Sequence, residues 1–260
     1  GEYKGMMAYS VFSRYYDALT QNVAYAARCD ALCTLLARYG CKPQLVVDLA
    51  CGTGSLTLEL ARRGFDPIGV DASSAMLAEA QQKAAQAGRQ ILFLCQKMQQ
   101  LDLYGTVDAV FCTLDSINHM TRPTDVQETM RRVSLFLNPG GLFIFDVNTL
   151  YKHRVVLANR TFVYETDEVF CVWQNALRAD GVTVEMQLDF FERRGTAYAR
   201  SSEHFCERAY ADEELCAALQ AAGLTLLARC AENTLDAPGP NTERVIYVAQ
   251  KPITQENGEA

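Results

Sequence analysis

The chain has 260 residues, 49% of them hydrophobic, and a formal net charge of −7. That length fits one α/β domain or one domain carrying an insertion, and the apolar content fills a large core. No run approaches the roughly 18 uninterrupted apolar residues of a membrane span, no signal peptide is legible, and the acidic balance, with no dense basic cluster, opposes nucleic acid as a partner.

Residues 8–39 carry helical periodicity marked by Tyr9, Phe12, Tyr15, Tyr16, Leu19 and Tyr25, and Gly40 and Pro43 end it. The pattern predicts two helices before the first strand, placed as a lid over a ligand mouth. Tyr16 and Tyr25 face either the ligand or the core, whereas Phe12 and Tyr15 are read as packing. Leu45–Leu49 is a short apolar run of the kind buried on both faces of a parallel sheet. Gly52 and Gly54 follow, then a segment from Ser55 to Arg63 with helical spacing. A second run, Pro67–Val70, ends at Asp71. Helix 73–87, strand 90–95, strand 107–113, helix 123–137 and strand 142–147 complete five βα-type repeats.

From Phe162 the pattern changes. Residues 162–177, 182–193 and 198–210 are β-rich and are separated by Asp180-Gly181 and Arg194-Gly195, as in antiparallel hairpins. Three strands are expected there. Helix 212–222, capped by Asp212 and ended by Gly223, and strands 224–230 and 244–251 close the chain. The expected division is 1–150 for the lid helices and nucleotide-binding core, 151–210 for a β insert forming a substrate roof or a dimer face, and 211–260 for the last helix and two strands of the core.

The glycine turn carries the most chemistry. Strand, glycine turn and helix open a βαβ unit, and glycine lets backbone approach a ligand closely. Asp71, at the tip of the second strand, is placed to accept from two ribose hydroxyls. A dinucleotide fingerprint wants a third small residue where this chain has Thr57. Asp48 would also set a carboxylate against a pyrophosphate. The same carboxylate suits a ligand bearing an ammonium and a sulfonium, so the turn favours S-adenosylmethionine (SAM). Because ligands of such sheets bind at the carboxyl ends of the strands, further candidates are Ala50, Ala72, Lys97, Met98, Leu114, Asp115, Ser116, His119, Asp146 and Asn148. Met76 packs either on the adenine or in the core. Arg28, three residues after Tyr25, pairs either with the methionine carboxylate or with solvent.

Asp48-Leu-Ala-Cys51-Gly-Thr-Gly54, Asp71-Ala-Ser-Ser-Ala-Met76 and Asn138-Pro-Gly-Gly-Leu-Phe-Ile-Phe-Asp146 resemble the motifs of class I SAM-dependent methyltransferases. Tyr9, Tyr16-Asp17, Tyr25 and the segment Cys112–His119 add a likeness to a bacterial subgroup that includes amino-sugar N,N-dimethyltransferases. The resemblance spans about residues 8–250. It implies a seven-stranded, mostly parallel, doubly wound sheet with the last strand antiparallel. It also implies SAM contacts from Tyr16, Tyr25, Arg28, Asp48, Ala50, Cys51, Gly52, Gly54, Asp71, Ala72, Met76, Lys97, Met98, Leu114 and Asp115. Many relatives carry an acid where Lys97 stands, so adenine recognition passes to Met98 backbone, Gln96 or Gln99.

The resulting expectation is a methyltransferase acting on a small-molecule N or O nucleophile in the cytoplasm, as a monomer or homodimer. His119, Asp115 and Tyr9 are the candidate bases, with His153 and His204 behind them. Three histidines argue against a histidine-rich metal site, and no metal is expected. The ten scattered cysteines read as reduced thiols. The competing readings are a SAM-binding protein without catalysis, a nicotinamide-dependent dehydrogenase, and an RNA methyltransferase.

Overall fold

A computed structural model describes residues 11–15, 17 and 24–253. Tyr9 and Tyr16 lie outside the described residues. Residues 11–15 and 17 are helical, and helix α1 (Tyr25–Arg38) precedes the first strand. The core then alternates through β1 (Leu45–Leu49), α2 (Ser55–Arg62), β2 (Asp66–Asp71), α3 (Ser74–Gln86), β3 (Leu92–Cys95), β4 (Val107–Cys112), α4 (Pro123–Phe136) and β5 (Leu137–Asn148). Strands β6 (Thr161–Glu165), β7 (Val169–Leu177), β8 (Thr183–Arg194) and β9 (Ala197–Arg208) follow, then α5 (Asp212–Ala221), β10 (Thr225–Ala231) and β11 (Arg244–Gln250).

The large sheet has the order β10-β11-β5-β4-β1-β2-β3. Strands β1 to β5 are parallel, and β11 runs antiparallel to both β5 and β10. Alternate residues of β1 serve opposite faces, as a buried strand requires. Val47 and Leu49 join Val126, Met130 and Val133 of α4 and Leu215 and Leu219 of α5. Val46 joins Leu32, Leu35 and Leu36 of α1 and Leu56 and Leu60 of α2. The order reverses between β1 and β4, which leaves a crevice at their carboxyl ends, the usual ligand position in such sheets.

The second sheet, β6-β7-β8-β9, is wholly antiparallel. It has four strands rather than the three expected. The stretch 162–177 is interrupted at Thr166-Asp167-Glu168, where the Thr166 hydroxyl accepts from the backbone N–H of Glu168 and Val169 and closes a turn. Helix α5 also differs from expectation. Its cap position is Ala211, whose N–H donates to Glu214 Oε2 at 2.8 Å. Asp212 instead accepts from Arg229 Nε at 2.5 Å and from the Tyr247 hydroxyl at 2.7 Å, tying the helix to the sheet. A carboxylate with two strong side-chain donors has little left for a cap.

Asn118 joins the two sheets. It is fully buried; its amide donates to the carbonyls of Asn148 and Arg208, each at 3.1 Å, and its oxygen accepts from Asn148 N at 2.9 Å. The end of β5 and the end of β9 are thereby fixed to the turn after β4. The N-terminal segment makes a second link. Arg14 and the Tyr15 hydroxyl donate to Glu192 of β8, while Asp17 accepts from Thr53 at 2.7 Å and from Lys83 at 2.9 Å. Among the described residues no helix is long and apolar enough to cross a membrane.

Candidate functional site

Four strand tips and the second sheet enclose a cavity of about 720 Å³, within the size range of cofactor and small-molecule sites. Asp48, Ala50, Cys51 and Gly52 line it from the first turn, Asp71, Ala72 and Met76 from the second. Lys97, Met98, Gln99, Leu114, Asp115 and His119 line it from the third and fourth, and Tyr25 from α1. Two expected cofactor residues are placed elsewhere. Gly54 is the N-cap of α2 at φ 77°, and a Cβ there would come within 2.9 Å of the Ala80 Cβ, so its task is helix packing. Arg28 lies in a neighbouring groove with Glu232 and Arg244. Its Nη1 sits 2.5 Å from Glu232 and 3.3 Å from Asp146, so protein carboxylates already occupy it.

The glycine turn is built by hydrogen bonds that explain its sequence. Gly52 adopts φ 56°, and open space lies where a side chain would project. Its N–H donates to Asp71 Oδ2 at 2.9 Å, and Ser73 N donates to Asp71 Oδ1 at 2.9 Å. Each Asp71 oxygen keeps a lone pair for a further donor. A bare glycine backbone beside a carboxylate with spare acceptor capacity fits a ribose diol, and the residues present therefore fit SAM. Thr57, the residue that argues against a dinucleotide, is fully buried and donates to Asp48 Oδ2 at 2.6 Å. Helix α3 starts at Ser73, whose hydroxyl accepts from Met76 N at 3.1 Å. Met76 is itself 4% exposed, so it both lines the cavity and packs the core.

Burial pushes the Asp48 carboxyl up to about 7, above the ordinary value of about 3.9. The folded protein thus holds a proton that the unfolded chain releases. The stabilisation this gives is complete below about pH 4 and is lost as pH rises to about 7. About three pKa units at about 1.4 kcal/mol each make up to about 4 kcal/mol. Asp48→Asn keeps an acceptor for Thr57 and removes the titration. The unliganded variant is expected to melt higher than wild type above pH 7 and to show a flatter stability profile from pH 4 to 7. Identical profiles for the two proteins would mean that Asp48 is ionised throughout.

The third strand tip departs from the relatives' pattern. Gln96 is not free for an adenine, because its amide donates to the Asp102 carbonyl at 3.0 Å and accepts from Asp102 N at 3.1 Å. Lys97 is extended and leads into a short 3-10 turn, Met98–Gln100. That leaves Met98 and Gln99 facing the cavity with Lys97.

After β4 the chain takes two consecutive left-handed residues, Leu114 at φ 59° and Asp115 at φ 53°. Such conformations cost on the order of 1–3 kcal/mol each in non-glycine residues and cluster at functional sites. Asp146, 2% exposed, holds them by accepting from Leu114 N at 2.8 Å and Asp115 N at 2.6 Å. The turn projects Asp115 and His119 toward Glu207 of β9. His119 Nε2 lies 4.0 Å from Asp115 and 3.6 Å from Glu207 Oε1, while Arg244 donates to Asp115 Oδ1 at 3.0 Å. Burial, and then the Asp115 charge, hold the Glu207 carboxyl well above the usual carboxylate range. The pair therefore shares one proton, kept by Glu207; against burial, the Glu207 hydrogen bond and then the Arg244 charge hold Asp115 ionised.

Asp115, His119 and Glu207 offer ligand atoms within 4.8 Å of one another, a set able to hold a metal ion and one that the histidine count did not foresee. Glu203 and Glu207 were also missed, since a carboxylate in an amphipathic strand reads as surface. Alternation along β9 was the available signal, because Glu203, Phe205 and Glu207 share the inward face. His204 points the other way and is exposed. His153 is fully buried, and its Nδ1 pairs with the Val182 carbonyl at 2.8 Å, so it braces the second sheet. The cavity roof is aromatic: His119 stacks on Phe205 at 5.4 Å between centroids, Trp173 meets Phe205 edge-on at 6.4 Å, and Tyr164 lies 6.3 Å from Trp173.

Comparison with known proteins agrees with this geometry. Residues 46–141 match a family described as a methyltransferase domain. The protein YqeM of Bacillus subtilis (strain 168) is 33% identical over 95% of this chain and 99% of its own length. A SAM-dependent methyltransferase from Clostridium acetobutylicum ATCC 824 is 33% identical, with a TM-score of 0.84 over 94% of this chain and 99% of that one. The sugar N-methyltransferase KedS8 from Streptoalloteichus sp ATCC 53650 shares the fold at 21% identity, with a TM-score of 0.75 over 94% of this chain and 92% of that chain. A glycine turn anchored on Asp71, a sheet whose last strand alone runs backwards, and relatives matched end to end make this chain a class I SAM-dependent methyltransferase.

Proposed function

We propose that the enzyme methylates the nitrogen of a small-molecule amine. The carrying observation is the Asp115–His119–Glu207 group beneath an aromatic roof, beside the SAM cradle. Carboxyl groups and ring faces recognise an ammonium or amine, whereas a nucleic acid would need a basic groove. The fold shared with a sugar N-methyltransferase supports the same reading. Ten free cysteines and small-molecule chemistry fit a reducing cytoplasm.

In this reading Asp71 holds the ribose, the backbone of Gly52 lies against the cofactor, Met76 and Met98 flank the adenine, and Tyr25 covers it. When bound, SAM supplies a sulfonium-activated methyl group open to in-line displacement. Asp115 and Glu207 orient the acceptor nitrogen toward the cradle, which is the positioning contribution. His119 Nε2 accepts the proton that the amine loses, and Asp115 stabilises the imidazolium formed. The roof strands exclude water from the reacting groups.

Measuring S-adenosylhomocysteine release with matched panels of amines and alcohols tests the reading, and turnover confined to amines is expected. Turnover of alcohols alone would overturn it. A specific observation favours one alternative, an oxygen nucleophile on a divalent cation held by Asp115, His119 and Glu207. Since Arg244 already holds Asp115 and Glu207 keeps a proton, treatment with EDTA is expected to leave the rate unchanged. A loss restored by added divalent cation would establish the metal reading instead.

A further inference from the structure

The same cavity contains a second acidic position, one whose buried oxygen has no partner among the described residues. Glu203 lies on the same inward face of β9 as Phe205 and Glu207, and all three line the cavity. Its Oε2 is buried and has no hydrogen-bond partner among the described residues, and the same holds for Glu207 Oε1, on a side chain 3% exposed. A buried carboxyl oxygen without a donor costs free energy unless a ligand completes it. Burial alone pushes the Glu203 carboxyl up to about 7, with no neighbouring cation lowering it.

The two glutamates stand four positions apart on an extended strand, roughly 13 Å of backbone at about 3.3 Å per residue. The wall between them is apolar and aromatic. Phe205 stands midway, and Trp173 meets it edge-on. The Trp173 indole N–H is already spent on Asn175 Oδ1 at 2.7 Å, so the ring offers only its apolar surface. Two carboxyl groups at the ends of an aromatic trough match an elongated molecule that is polar at both ends and apolar between.

Resting on the amine reading above, we infer that the acceptor is a diamine or polyamine whose reacting nitrogen lies at Asp115, His119 and Glu207 and whose second nitrogen lies at Glu203, with its carbon chain along Phe205 and Trp173. Glu203 is then a specificity-determining residue, since it touches the acceptor far from the transferred methyl group. Its contact is made before and during methyl transfer alike, so it acts on KM rather than kcat.

The test is SAM-dependent S-adenosylhomocysteine release with α,ω-diaminoalkanes of increasing length and the monoamines of matching length. For wild type, kcat/KM is expected to rise at least tenfold from a monoamine to its best diamine, through KM. In Glu203→Gln that ratio is expected to fall close to one, with the melting temperature and the SAM-induced thermal shift showing that the fold and cradle persist. If no amine in either series turns over while SAM still binds, the amine reading fails and takes this inference with it. If amines turn over but diamines show no advantage, or Glu203→Gln slows both series by the same factor, the amine reading stands and the second subsite is disproved.

Discussion

Asp71→Ala is expected to weaken SAM binding by a factor of about 100 or more and to remove its thermal protection. Two hydrogen bonds from ribose hydroxyls to a carboxylate are worth about 1.5–3 kcal/mol each, so their loss corresponds to at least about 3 kcal/mol and a hundredfold change in Kd. SAM at a hundred times its wild-type Kd stabilises the protein by about 2.7 kcal/mol; after a hundredfold loss of affinity the same concentration contributes about 0.4 kcal/mol. Asp71 also accepts from Gly52 and Ser73, so the substitution frees the turn from the second strand. Calorimetric titration and thermal shift read the two effects separately. Wild-type affinity in the variant would show that the ribose is held elsewhere.

The largest effect on stability is expected from Asp146→Ala. Removing this carboxylate strands the N–H groups of Leu114 and Asp115 and takes from two guanidinium groups, Arg28 at 3.3 Å and Arg244 at 3.8 Å, their most deeply buried counter-charge, leaving them Glu232 and Asp115. Breaking a buried charge group on one side costs about 3–5 kcal/mol. For a chain of this size that lowers the melting temperature by roughly 6–20 °C. The left-handed pair Leu114-Asp115 loses what holds it, so methyl transfer should fall further than stability alone explains. A melting temperature within a degree or two of wild type would show that the arginines hold the turn by themselves.

The cradle was legible in the sequence because its chemistry is local. Asp48, Gly52 and Thr57 fall within ten residues, and Asp71 must follow at the next strand tip if the chain is a βαβ unit. Those positions are fixed by covalent spacing and strand geometry. The core strands and the hairpin insert were legible for the same reason, since glycine turns and apolar periods mark each element, whereas the seven-stranded sheet with its last strand antiparallel is what the family resemblance implied. What misled the reading was competition among side chains. Asp212, whose place in the sequence predicts a cap, is claimed by Arg229 and Tyr247 from later strands. Arg28, expected either at the methionine carboxylate or in solvent, pairs with Glu232, two hundred residues away along the chain. The break at Thr166 within one long β-rich stretch depends on a hydroxyl that closes a turn, a contact that alternation does not encode.

By itself the sequence determined the donor side of this enzyme: a parallel sheet, a glycine turn, an acid on the second strand and hence the nucleoside of SAM. Only the tertiary structure brought together the side chains proposed to hold the acceptor. Asp115 and His119 follow β4, whereas Glu203 and Glu207 stand on β9, almost ninety residues later, and they meet because Asn118 binds the two sheets at that point. A binding site formed by one turn is written in neighbouring residues. A pocket formed between two sheets depends on how those sheets pack, which is a property of the whole core.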